Sequence, residues 1–69
     1  MEKRSVQSST VKSVGYDEKT LTLEIEFVNG NIYQYFDVPH SVHSELMASG
    51  SLGQFLNTQI KGQYRFAKV

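Results

Sequence analysis

Val28-Asn29-Gly30-Asn31-Ile32-Tyr33-Gln34-Tyr35 is the stretch that decides how this chain folds. Asn29 and Gly30 tolerate positive φ cheaply, so it reads as a hairpin turn running straight into a strand. Side chains alternate across a strand, so Tyr33 and Tyr35 share one face. Half of the four tyrosines therefore stand side by side on one short strand. They are either the middle of a small core or an exposed aromatic platform, and the turn chooses between the two. In a two-residue type I′ loop at Asn29-Gly30, Val28 pairs with Asn31, Phe27 faces Ile32 and Leu23 faces Phe36. The tyrosines then stand opposite Glu26 and Glu24 on the solvent face. In a type I turn centred on Val28-Asn29, with Gly30 as a G1 bulge, Phe27 pairs with Asn31. Ile25 then faces Tyr33 and Leu23 faces Tyr35, on the core face. One residue of register inverts every side chain. Binary pattern favours the first arrangement, which buries Ile32 and Phe36; aromatic area favours the second.

Upstream lies the cleanest element of the chain, Leu21-Thr22-Leu23-Glu24-Ile25-Glu26-Phe27. Leu21, Leu23, Ile25 and Phe27 form one face and Thr22, Glu24 and Glu26 the other, the signature of a half-buried antiparallel strand. Asp17-Glu18-Lys19 is a turn. Before it, Val11, Val14 and Tyr16 predict a strand over Ser9–Tyr16. The alternation breaks between Val11 and Val14, which predicts a bulge near Gly15. Residues 1–8 are polar apart from Val6 and read as a flexible tail that frays, leaving 9–69 as the single domain.

Downstream the period changes. Pro39 suits a first helical turn, and Val42, Leu46 and Met47 predict a short helix from about Pro39 to Ala48, with Asp37 as its cap. Ser51-Leu52-Gly53-Gln54 has the form of a capping box, and Leu52, Phe55, Leu56 and Ile60 repeat at helical spacing behind it. Gly62 stands at the C-cap position. Tyr64 to Val69 alternates as a short final strand. The expected fold is α+β: a three-stranded antiparallel meander, with room for a fourth strand at the C-terminus, covered on one face by two short helices. The competing architecture is a small SH3-like barrel with a helical insertion.

Composition bounds the rest. A chain of 69 residues makes one domain, with a net stability of about 3–5 kcal/mol. There is no cysteine to reinforce it, which fits a reducing compartment. Seven basic and seven acidic residues balance, so a nucleic-acid role requires a local basic patch. No apolar run approaches membrane-spanning length, and no apolar segment follows the charged Met1-Glu2-Lys3-Arg4-Ser5. A cytoplasmic protein with no membrane, metal or cofactor partner is the expectation.

Taken together, Gly15-Tyr16-Asp17, Leu23-Glu24-Ile25-Glu26-Phe27, Tyr33-Gln34-Tyr35, Val38-Pro39 and Ser51-Leu52-Gly53-Gln54-Phe55-Leu56-Asn57, followed by Ile60 and Tyr64, resemble the KTSC domain family. These are small bacterial domains found at the C-terminus of some lysyl-tRNA synthetases and as stand-alone proteins. The resemblance covers about residues 9–69, and Leu56 departs from it where a second aromatic is expected. It implies that the Tyr-x-Tyr and the Leu-x-aliphatic-x-Phe strand share one core, hence the G1-bulge register. It also implies that Tyr16, Phe27, Tyr33, Tyr35, Pro39, Ser51, Gly53, Phe55, Asn57 and Ile60 are fold-defining. The synthetase context implies RNA as a partner.

Catalytic chemistry is not expected. His40, Ser41, His43, Ser44 and Glu45 are neighbours on one short helix, whereas a nucleophile and its base converge from several elements around a pocket. His40 and His43 lack a third metal ligand. Glu24 and Glu26 share a strand face with nothing apolar to raise a carboxyl pKa. Two non-enzymatic functions remain. One is a protein-interaction or appendage module, monomeric or weakly self-associating, that uses an open sheet edge. The other is an RNA-binding domain, for tRNA or a single strand, with Lys61, Tyr64, Arg65 and Lys68 as a basic, aromatic C-terminal patch.

Overall fold

A computed structural model describes residues 3–69 and shows one five-stranded antiparallel sheet. Its strands are β1 (Lys3–Ser5), β2 (Val11–Asp17), β3 (Thr22–Phe27), β4 (Ile32–Tyr35) and β5 (Phe66–Lys68). They pair in chain order as a meander, so the sheet stays open and the barrel alternative is excluded. Between β4 and β5 the chain forms α1 (His40–Ala48) and α2 (Leu52–Phe55), which runs into a π-helical turn, Leu56–Ile60. The α+β class is as expected, with the C-terminal strand present and one further strand at the N-terminal end.

That further strand falls where the sequence suggested a frayed tail. Lys3, Arg4 and Ser5 pair with Gly15, Val14 and Ser13. All three residues are exposed, so the strand carries no hydrophobic alternation from which to read it. What remains of that reading falls on residues 1–2, which lie outside the described residues.

The hairpin takes the G1-bulge register. Gly30 N donates to the Phe27 carbonyl at 3.0 Å, and Phe27 N donates to the Asn31 carbonyl at 2.9 Å. Gly30 carries φ +93°, while Asn29 is not among the non-glycine residues with positive φ, as a type I′ loop would need. Leu23 therefore faces Tyr35 and Ile25 faces Tyr33. Tyr35 is buried and Tyr33 half-buried.

Two local expectations change. The bulge in β2 lies at Lys12, not near Gly15: Val11 pairs with Phe27 but Ser13 pairs with Glu26. The extra residue turns Val11 and Val14 to the same buried side, which accounts for the broken alternation. Leu21 leaves the strand it seemed to start. It takes φ +55° and is 39 % exposed. Its carbonyl accepts from Val38 N at 2.9 Å, locking the β2–β3 turn to the chain entering α1.

The core is Val11, Val14, Leu23, Ile25, Tyr35, Val38, Leu46, Leu56 and Ile60. Leu46 is the fully buried residue of α1, and Leu56 and Ile60 belong to the π turn. There Lys61 N reaches back five residues to the Leu56 carbonyl at 2.8 Å, and Gly62 follows at φ +82°. Ser51 Oγ accepts from Gln54 N at 3.4 Å, the backbone half of the anticipated capping box. Asp37 does not cap α1. Pro39 holds the cap position without a side-chain bond, and the Asp37 carboxylate turns away to Arg65. Gly53 has a packing reason: a Cβ there would meet Thr10 Oγ1 at 2.8 Å.

On the opposite face, Glu24 accepts from Lys3 Nζ at 2.8 Å and from Gln34 Nε2 at 2.8 Å. These bonds, the Lys3 contact foremost, hold its carboxyl below the ordinary value of 4.5 against opposing burial. On α1, burial and then the neighbouring His40 and Arg4 hold His43 below its ordinary 6.5. Both groups bind a proton less readily folded than unfolded, so stability declines as pH falls, beginning near 6.5 for His43 and near 4.5 for Glu24. Thermal melts between pH 7.5 and 5.5 should show Tm falling with acid, and His43→Gln should flatten that slope; a wild-type Tm constant over this range would contradict the assignment.

Candidate functional site

Residues paired across neighbouring strands project to the same face. β5 sets Phe66 beside Tyr35 and Lys68 beside Tyr33, so both join the tyrosine face of the sheet. The helices cover Tyr35 but stop short of β5, leaving Phe66 60 % exposed. A continuous aromatic row results. Phe27 meets Tyr33 edge-on at 5.6 Å, and Tyr33 meets Phe66 at 5.9 Å. Phe66 also lies 5.9 Å from Tyr35, anchoring the row in the core.

Two lysines flank it. Lys61, at the end of the π turn, holds its Nζ 5.4 Å from the Phe27 ring centre, a cation–π distance. Lys68 stands opposite Tyr33. Among the described residues neither lysine enters an ion pair. Glu24 and Glu26 lie on the other face, held by Lys3 and Lys12. The balanced formal charge thus conceals a sorted distribution, with these carboxylates turned away from the aromatic row.

A concavity of about 240 Å³ continues the surface past Phe27. Asn29, Gly53, Asn57 and Lys61 are among the residues around it. Asn57 is exposed on the π turn, and its amide makes no hydrogen bond among the described residues. π turns recur where helices carry function, because the widened turn re-aims side chains.

The four C-terminal residues read from the sequence as one patch divide into two pairs. Lys61 and Lys68 join the row. Arg65 instead sits 2.9 Å from the Asp37 carboxylate, with its guanidinium 5.8 Å from the Phe36 ring centre. Both partners of that ion pair are largely exposed, so it adds little stability. Tyr64 is half-buried and packs against the core. Of the family-type residues, Tyr35 and Ile60 are buried outright, and Tyr16 donates its hydroxyl to the Val38 carbonyl. Pro39 and Ser51 occupy N-cap positions and Phe55 packs against the core. Phe27 and Tyr33 serve both the core and the exposed row.

His40 and His43 lie on α1 with ring centres 6.2 Å apart. Among the described residues no group of three or more His, Cys, Asp or Glu side chains could hold a metal ion. No helix there is long and apolar enough to cross a membrane.

The sequence-based patch of Lys61, Tyr64, Arg65 and Lys68 does not include Phe27, Tyr33 or Asn57, which the fold places beside Lys61 and Lys68. The β3–β4 register sets Phe27 against Tyr33, the β4–β5 register adds Phe66 and Lys68, and the π turn brings Asn57 and Lys61 to Phe27.

Comparison with known proteins gives a consistent picture. The family model for the KTSC domain matches residues 7–64. The chain is 43 % identical over 63 residues to a lysine–tRNA ligase of Nostoc punctiforme, covering 91 % of this chain but 11 % of that protein. It is 39 % identical over 70 residues to an uncharacterised protein of Stutzerimonas stutzeri, covering 100 % of this chain and 99 % of that one. The crystal structure of a KTSC domain protein from Yersinia pestis superposes with a TM-score of 0.93 at 38 % identity, covering 99 % of this chain and 96 % of that chain. The chain thus spans about a tenth of the ligases it matches and nearly the whole of its small relatives.

Proposed function

The chain belongs to the KTSC domain family, and from that premise we propose that it is a non-enzymatic binding module that holds single-stranded RNA on the Phe27–Tyr33–Phe66 row. The observation that carries this reading is the placing of Lys61 and Lys68 beside those rings. Unpaired bases stack on aromatic side chains while cations track the backbone. The exposed face of Phe66 offers the stacking surface, Lys61 and Lys68 meet phosphates, and the free amide of Asn57 reaches a base edge. Lysine–tRNA ligases among the relatives contain a segment of this kind within proteins named for joining lysine to tRNA, which supports RNA as the partner.

With only two lysines committed to phosphate, binding is weak and its salt dependence shallow: log K falls against log salt with a slope of about −1.4. Fluorescence anisotropy of a labelled ten-nucleotide RNA measures this. Phe66→Ala should cost about 1–3 kcal/mol, the range for loss of one stacking contact. Lys61→Gln with Lys68→Gln should bring the salt slope close to zero. An anisotropy that does not rise at low salt, or variants that bind like the wild type, would refute the proposal.

A second reading has its own observation. The outer edge of β5 is unpaired, and Phe66 and Val69, at 60 % and 63 % exposure, stand along it. An extended segment of a partner protein could add a strand there. Such a partner would protect the outward-facing amides of Phe66 and Lys68 from exchange, which base stacking would not.

A further inference from the structure

At the far end of the sheet from β5, residues of β1, β2 and α1 line a concavity of about 400 Å³. Side chains from separate elements converge on it: Arg4 from β1, Tyr16 from β2, Glu18 from the following turn, and His40 and His43 from α1. The spacing of His40 and His43 along α1 does not by itself reveal this convergence.

The cluster is ordered by contacts that leave its donors unspent. Tyr16 is pinned through its hydroxyl to the Val38 carbonyl. The His43 ring lies flat on Tyr16, with centres 4.5 Å apart and 7° between planes. Neither His43 nitrogen has a hydrogen-bond partner among the described residues, and its Nδ1 is buried. Nδ1 is therefore closed to a ligand, and Nε2 is the His43 nitrogen open to the concavity. Glu18 lies 3.3 Å from His40 Nε2, and the His40 Nδ1 makes no hydrogen bond among the described residues. Arg4 makes no ion pair among the described residues, whereas Lys3 beside it is committed to Glu24 on the other face.

We propose that this concavity binds a small organic phosphate, its phosphoryl group held between Arg4, His40 and His43. Three N–H donor groups suit the three free oxygens of a phosphate monoester better than the two of a carboxylate. Val14, Met47 and the ring of Tyr16 line the same concavity and supply an apolar wall for the organic portion. Arg4, Glu18, Tyr16 and His40 are the charged and titratable groups facing His43, while Lys3 rims the concavity with its ammonium turned to Glu24. Of these, burial, His40 and Arg4 keep His43 neutral without ligand, and Glu18 opposes them. A bound dianion favours the protonated ring, so binding takes up a proton and tightens as pH falls.

The site stands apart from the aromatic row and does not depend on the RNA proposal; either can fail alone. The test follows the ring C–H resonances of His40 and His43 in the full chain, with phenyl phosphate, inorganic phosphate and acetate as probes. Saturable shifts of both histidines are expected at pH 6, with half-saturation by phenyl phosphate on the order of 1 mM. Acetate should bind roughly tenfold more weakly, as should phenyl phosphate to Arg4→Gln, whose position on an exposed strand spares the core. Histidine signals unmoved at about 50 mM probe, far above the expected half-saturation, would overturn the site. An Arg4→Gln variant that binds equally well would do the same. Equal affinity for inorganic and phenyl phosphate would overturn the organic-ester assignment.

Discussion

Tyr35→Ala should leave the domain unfolded at 25 °C. Tyr35 is 2 % exposed and is the largest of the fully buried side chains. It faces Leu23 in β3 and Phe66 in β5, so its ring joins three strands of the sheet. Truncating a buried aromatic to alanine costs about 3–5 kcal/mol, through lost transfer energy and the cavity left behind. A domain of this size has about that much stability in total. Tyr35→Phe separates the ring from its hydroxyl. The hydroxyl makes no hydrogen bond among the described residues, and burial, then the neighbouring Tyr33, pushes its pKa up. The phenylalanine variant should therefore melt cooperatively, close to the wild type. Circular dichroism during urea titration checks both. A cooperatively folded Tyr35→Ala variant would contradict the core assignment.

Leu46→Ala is the second large effect, expected at about 2–5 kcal/mol. Leu46 is the one fully buried residue that α1 contributes. The helix has nine residues, no side-chain cap, no acidic residue in its first turn and no basic residue in its last. A helix so short has little stability of its own and depends on docking. Without Leu46 it retains the half-buried Val42 and Met47 and the stacking of His43 on Tyr16. Urea denaturation should show either complete unfolding or a much reduced midpoint, and Leu46→Met should recover most of the loss. A Leu46→Ala midpoint equal to the wild type would show that α1 does not close the core.

The two variants probe the sheet and its cover, and these differed in how legible they were. The β3–β4 hairpin was readable because Leu23-Glu24-Ile25-Glu26-Phe27 alternates without error and Gly30 supplies the positive φ that a G1 bulge requires. Pattern alone left its register open, since both faces of β4 carry bulky groups; the family-type Tyr-x-Tyr indicated the one observed. β1 was not readable, because an exposed strand of Lys3, Arg4 and Ser5 has no face to bury. Lys12 as the bulge was equally obscure, since several insertions restore the same alternation. The cap on α1 was misplaced because Asp37 had a competing partner, Arg65, 28 residues away.

The aromatic row was legible only in fragments. Lys61 and Lys68 stood out as cations near aromatic residues. That Lys61 meets Phe27 depends on where the π turn ends, and that Lys68 meets Tyr33 depends on how β5 pairs with β4, while Arg65 turns to Asp37. The histidine concavity was missed for the same reason. Its partners Arg4, Tyr16 and Glu18 are distant in sequence and arrive through the β1–β2 pairing and the β2–β3 turn.

The most direct test of the RNA reading is a residue-resolved NMR titration of the full chain with single-stranded RNA at low and at physiological salt. The expected result is a set of shifts confined to Phe27, Tyr33, Asn57, Lys61, Phe66 and Lys68, weakening as salt rises. An unchanged spectrum at low salt, or shifts that leave these residues untouched, would contradict it.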